Sequence, residues 1–308
     1  MALHGSLVPA RIVRVGTSCV EDGVSGWRQS RGHEVGEVMS ETASEGASTT
    51  ATAVVPLLAA SGINKSFGPV RVLHNVDFNV FPGTVTALIG DNGAGKSTLI
   101  KCIAGIYGMD TGSIRFDSDE VHIASPRDAA ELGIKVVYQD LALCDNLDIV
   151  QNMFLGREIV RRGMLDEHAM EMAARQTLAS LSVRTVKSVR QPVSSLSGGQ
   201  RQTVAIAKAV LGKSKLVVLD EPTAALGVAQ TEQVLELVRR LAASGVGVVL
   251  ISHNMNDVLE VADRVCAMYL GRIAADISTG TGVKRETLVE LITSGRSGSH
   301  GLVDGLVG

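Results

Sequence analysis

Residues 85–98 run Val-Thr-Ala-Leu-Ile-Gly-Asp-Asn-Gly-Ala-Gly-Lys-Ser-Thr. Val85–Ile89 is a nearly continuous apolar run, the pattern of a strand buried on both faces. Gly90 to Ser97 then fits G-x-x-x-x-G-K-[ST], the phosphate-binding loop. Gly90, Gly93 and Gly95 let backbone N–H groups curl around phosphates, and the helix predicted over Thr98–Ala104 points its positive end at them. Lys96 is placed to reach the β and γ phosphates, and Ser97 to ligand Mg²⁺ through its hydroxyl. Strand, glycine-rich turn and helix in that order separate this motif from a chance glycine-rich loop.

The flanking sequence extends the same alternation. Short apolar runs recur at Ile134–Tyr138, Leu216–Leu219, Val246–Ile251 and Val265–Leu270, with helical patterns between them. One helical pattern covers Val228, Thr231, Val234, Leu235, Val238 and Leu241, and Gly245 follows its end. This predicts an α/β fold with a largely parallel sheet. Upstream, Val76, Phe78 and Val80 alternate with polar residues, as in a half-buried strand, and Pro82-Gly83 is a turn. Residues 141–212 offer no strong strand candidate. Asp166 is placed to cap a helix that runs to about Leu181, so the segment reads as a helical insertion.

Two further motifs carry chemistry. Leu216–Leu219 ends in Asp220-Glu221-Pro222, which puts two carboxylates at the C-terminal edge of a strand, where α/β ligands bind. Asp220 suits Mg²⁺, and Glu221 suits orientation or deprotonation of an attacking water. Leu196-Ser197-Gly198-Gly199-Gln200 reads as a second anion site: Ser197 caps a helix, and Gly198 and Gly199 let phosphate oxygens approach backbone amides.

The three motifs in this order resemble those of the ATP-binding-cassette ATPases, over roughly residues 57–294. The resemblance implies a phosphate-loop ATPase core, largely parallel, with an antiparallel β subdomain and a helical subdomain inserted at about 141–212. It implies ATP with Mg²⁺ as ligands. Gly90, Asn92, Gly93, Gly95, Lys96, Ser97 and Thr98 would hold nucleotide, as would Ser197, Gly198, Gly199 and Gln200. Ser97, Gln139 and Asp220 would serve the metal. Gln139 matches the family's glutamine loop and His253 its switch histidine, which join Glu221 as catalytic candidates. Phe67, 23 residues before Gly90, fits the aromatic that stacks on adenine. Alone, Gln139 and His253 also suit ordinary strand-end polar residues, and Phe67 a core residue. At Gly227 the family commonly has Asp, a departure that bears on communication between sites.

One phosphate loop and one Leu-Ser-Gly-Gly-Gln segment make half of each site in this family. The resemblance therefore implies a homodimer with ATP between its subunits. It also implies membrane permease subunits as partners and an extracytoplasmic solute-binding protein beyond them, with the chain peripheral on the cytoplasmic face of the membrane. Met153-Phe154-Leu155-Gly156-Arg157-Glu158, Ala224-Ala225-Leu226-Gly227-Val228 and Ile251-Ser252-His253-Asn254-Met255 resemble monosaccharide importers of the ribose, xylose and fructose type. The bland alternative for Met153, Phe154 and Leu155 is core of the insertion. Other importers, exporters and a non-transport cassette ATPase of DNA repair or translation are the alternatives.

Composition bounds these readings. The chain has 308 residues, with 29 basic against 32 acidic and 3% aromatic, so nothing favours a nucleic-acid partner or a base-stacking platform. The longest apolar stretch, 53–60, is interrupted by Pro56 and is far short of the about 20 residues of a membrane span. Cys19, Cys102, Cys144 and Cys266 fit no zinc or redox spacing and are expected as reduced, mostly buried thiols. Residues 1–52, with the lone Trp27, are expected as a disordered extension in which Met39 is a candidate start. The ATPase domain is expected over 53–294, and 295–308 as a flexible tail.

Overall fold

In the computed structural model, which describes residues 55–301 except 182, 184, 185, 298 and 299, the apolar runs become the strands of one six-stranded sheet. Numbered in chain order, its strands are β3 (Val85–Gly90), β6 (Ile134–Val137), β9 (Leu216–Asp220), β10 (Gly247–Ile251), β11 (Arg264–Tyr269) and β12 (Arg272–Ser278). Their spatial order is β12-β11-β3-β10-β9-β6, parallel except for β12 at one edge. Alternate residues feed two cores. Ala87, Ile89, Val217 and Leu219 pack with the helices on one face, and Leu88, Leu216, Val218 and Ile251 with the apolar residues on the other. Burial on both faces is why these strands read as unbroken apolar runs.

The second core is closed by an antiparallel sheet of β1 (Leu58–Phe67), β2 (Val70–Val80), β4 (Thr111–Phe116) and β5 (Asp119–Val121), in the order β2-β1-β4-β5. Leu58, Ile63, Leu73, Phe78 and Ile114 are among its fully buried side chains. The helices are α1 (Lys96–Ile103), α2 (Pro126–Leu132), α3 (Ile149–Phe154), α4 (Glu167–Ser180), α5 (Gly198–Val210), α6 (Val228–Ala243), α7 (Met255–Val261) and α8 (Arg285–Ser294). Ser125 and Asp128 form a capping box at the start of α2, and Asp148 and Gln151 one at α3. Asp166 caps α4 through Ala169 N–H, as expected. α1 starts at Lys96, two residues before the predicted Thr98, with Gly95 in the left-handed region as its N-cap.

One expectation needs correction. The insertion does contain strands, the exposed pairs β7 (Val160–Arg161) and β8 (Met164–Leu165), turned by Arg162 and Gly163 at φ 54° and 81°. Two-residue strands are too short to show a period. The segment expected as a flexible tail begins with a paired turn, β13 (Arg296–Ser297) against β14 (His300–Gly301). Gly295 at φ 72° ends α8, and the Ser294 hydroxyl bonds the backbone of Arg296, which redirects the chain. Residues 1–52, including Trp27, Met39 and Cys19, lie outside the described residues. In the insertion, Met153 and Phe154 are core, whereas Leu155 is exposed. No described helix is long and apolar enough to cross a membrane.

Candidate active site

Adjacent parallel strands β3, β10 and β9 end in register, with Ile251 opposite both Leu88 and Asp220. The loops that follow them open a cleft of about 690 Å³ at the sheet's C-terminal edge. Lys96, Ser97, Gln139, Asp220, Glu221 and His253 all line it. Six residues picked from four separate stretches of sequence thus meet in one place.

The phosphate loop is held by close backbone contact. A Cβ at Gly90 would lie 2.5 Å from the Met268 carbonyl oxygen. Gly95 has φ 106°, and a Cβ there would lie 3.0 Å from the Leu73 side chain. Lys96 folds its ammonium over the loop, donating to the carbonyls of Gly90 at 2.7 Å and Asp91 at 3.0 Å. Burial holds the Lys96 pKa below the usual lysine range, partly offset by the carboxylates of Glu221, Asp91 and Asp220. Burial, followed by the charge of Glu221, pushes the Asp220 pKa up against the pull of Lys96 and Lys101. A half-buried carboxylate in that state is an unmet demand for positive charge. Ser97 hydroxyl, Gln139 amide and Asp220 carboxylate are all oxygen donors, the set that suits Mg²⁺.

Glu221 sits in the left-handed region at φ 50°. For a non-glycine residue that costs about 1–2 kcal/mol. Its N–H donates to the Ile251 carbonyl at 3.0 Å, which fixes the strained turn to β10. Its Oε2 lies 2.7 Å from His253 Nδ1.

The sequence did not reveal what ties these two loops together. Asp257 on α7 is buried and accepts from the Thr223 hydroxyl at 2.6 Å and the Asn254 amide at 2.8 Å. One carboxylate therefore clamps the turn after Glu221 to the turn after His253. Also missed was α8, whose residues Arg285, Val289, Ile292 and Thr293 form a wall of the cleft while Leu288 and Leu291 face the core. Their i, i+4, i+7, i+8 spacing was the available signal.

Two predicted groups stand elsewhere. Ser197 caps α5 in a box with Gln200, whose Oε1 accepts from Ser197 N–H at 2.9 Å. Gly198 and Gly199 pack against Leu226 and Gln230, with a Cβ at Gly199 only 3.0 Å from Gln230. None of these four lines the cleft that holds Lys96. Gly227 is the N-cap of α6 and offers no side chain to cap it. Phe67, at the end of β1, is 43% exposed rather than core and lies outside the cleft lining. It meets the Tyr107 ring edge-on at 5.1 Å. Among the described cysteines, Cys102 and Cys266 are buried and Cys144 half-buried, all as free thiols.

The ABC transporter family profile matches residues 73–224. A fructose import ATP-binding protein of Rhizobium meliloti is 48% identical over 224 residues, which cover 70% of this chain and 86% of that protein. A xylose/arabinose import ATP-binding protein of Sulfolobus acidocaldarius is 44% identical, covering 77% of this chain and 92% of its own length. A ribose import ATP-binding protein of Rubrobacter xylanophilus is 43% identical, and the match spans about half, 48%, of that longer protein. Among solved structures, a nucleotide-free ATP-binding cassette from an ABC transporter superposes with a TM-score of 0.66 at 26% identity, covering 77% of this chain and 98% of its own.

Proposed function

This chain belongs to the ABC transporter family, and we propose that it is the ATP-binding and hydrolysing subunit of an importer that carries a monosaccharide through a separate membrane permease. The names of its relatives support the sugar; the cleft supports the ATPase. The observation that carries the reading is the meeting of a phosphate loop, two strand-end carboxylates and a histidine in one cleft.

In the proposed reaction Lys96 exchanges its two carbonyl partners for β- and γ-phosphate oxygens. Ser97, Asp220 and Gln139 would hold Mg²⁺, which would neutralise developing phosphate charge. Glu221 takes a proton from the attacking water as its oxygen bonds to the γ-phosphorus and the bond to the ADP oxygen breaks. His253 steadies that carboxylate through Nδ1 and contacts the γ-phosphate. Phe67 is exposed and available to stack on adenine.

Ser197, Gly198, Gly199 and Gln200 lie outside the cleft, so they complete a site only on a second copy. A two-fold homodimer with ATP between subunits uses both surfaces. ATP-dependent dimerisation by light scattering, together with hydrolysis stimulated by one sugar after reconstitution with co-purified membrane partners, tests the reading. A monomer at saturating ATP in the Glu221→Gln variant would overturn the dimer, and binding to no membrane protein would overturn the importer.

A further inference from the structure

A second pocket, of about 220 Å³, lies behind the nucleotide cleft. Consecutive residues divide between the two: Gln139 lines the cleft, while Tyr138 and Asp140 line the pocket. Lys135, Arg157 and Lys208 also line the pocket, from β6, the turn after α3, and α5.

None of the three cations forms an ion pair among the described residues. Lys135 donates to the Ala130 carbonyl at 3.2 Å and Lys208 to that of Ala142 at 3.3 Å. Arg157 donates to the carbonyls of Met153 at 3.0 Å, Leu211 at 3.3 Å and Lys208. An ammonium has three donors and a guanidinium five, so each keeps donors to offer a ligand. Asp140 is the acid that lines the pocket, and its carboxylate already accepts from Ala142 N–H at 3.3 Å. Burial lowers the pKa of all three cations, and the charge of Arg157 lowers both lysines further, with Cys144 opposing at Lys208. Like charges gathered in a partly desolvated pocket raise the free energy of the empty state, and a counter-charge relieves it.

We propose that this pocket is a binding site for an oxyanion, a carboxylate or phosphate group held by Lys135, Arg157 and Lys208. The fixed guanidinium is the geometric anchor and the two lysines close over the bound oxygens. The site is argued from this chain alone. Of its two sources, a free small anion or an acidic side chain of a membrane partner, only the second rests on the importer reading.

Lysine reductive methylation followed by mass spectrometry tests it, on the full chain saturated with Mg-ADP so that the phosphate loop is filled. Citrate, inorganic phosphate and the co-purified permease complex are the three additions. Methylation of Lys135 and Lys208 is expected to slow about tenfold with at least one of them, while exposed Lys213 is unchanged. Protection by citrate or phosphate identifies a free anion. Protection by the complex alone identifies an acidic protein segment. Protection by none overturns the site. Because Arg157 also ties down three carbonyls, Lys208→Gln is the second variant. It should abolish protection at Lys135 while leaving ATP hydrolysis by the chain alone unchanged; protection retained at Lys135 would sink the shared site without touching the ATPase.

Discussion

His253 Nδ1 lies 2.7 Å from Glu221 Oε2, so the residues that follow β10 and β9 meet at the sheet's edge. The carboxylate is sheltered, with 17% of its side chain exposed, while the imidazole is 75% exposed. The histidine is thus the solvent-facing cover over the carboxylate.

Glu221→Gln is expected to lower phosphate release by about 10²–10⁴-fold, the range for loss of a general base. ATP binding is retained and the dimer persists, so filtration binding and gel filtration separate the two effects. Wild-type turnover would remove Glu221 from its assigned role.

Lys96→Ala is expected to weaken ATP binding about tenfold to a hundredfold, the loss of a charge-assisted hydrogen bond to phosphate. Titration with a fluorescent ATP analogue measures it. Unchanged affinity would discount the phosphate-loop assignment.

Asp257→Ala strands the Thr223 hydroxyl and the Asn254 amide. With two hydrogen bonds to a charged group contributing about 1.5–3 kcal/mol each, a loss of about 3–6 kcal/mol is expected in urea unfolding, along with reduced hydrolysis. Asp257→Asn keeps one acceptor oxygen and should fall between. A stability equal to wild type would show that the clamp contributes nothing.

Asp220 has a folded-state pKa raised by burial and by Glu221. In the ligand-free protein its charge therefore opposes folding once pH exceeds the unfolded-state value, about 3.9. Asp220→Asn should raise Tm at neutral pH while hydrolysis collapses, and the gain should close as pH falls below about 4, where both states become protonated. A gain that widens on acidification would reverse the assigned sign.

Gly227→Asp puts a capping side chain at the start of α6, where a Cβ meets nothing within 4 Å and φ is −75°. A gain of a few tenths of a kcal/mol is expected from the cap, and a higher Hill coefficient for ATP if inter-site communication returns. Both the denaturation midpoint and the ATP dependence of hydrolysis report on it.

The sequence was most legible where local rules and burial agree. β3, β9 and β10 are almost entirely apolar because both faces are covered, and α4 and α5 begin at capping residues visible in one dimension. β1 was not legible: Leu-Ala-Ala-Ser-Gly-Ile-Asn-Lys-Ser-Phe changes register three times against β2, and each shift erases the period of two. Within the site, motif residues were found because their chemistry is contiguous in the chain. Asp257 escaped because its bond to Thr223 spans 34 positions, and α8 because its cleft-facing residues, Arg285, Val289, Ile292 and Thr293, belong to no contiguous motif. The cation pocket escaped for the same reason, since Lys135, Arg157 and Lys208 are ordinary surface residues until three elements converge.

The Asp257 bridge makes the turns after β9 and β10 mechanically a single body. A displacement of the α7 end moves the water-facing acid and its histidine cover in step, so neither departs while the other stays. Hydrogen exchange at the amides of Thr223 and Asn254 should accordingly rise and fall together through a turnover cycle, with one opening rate shared by both.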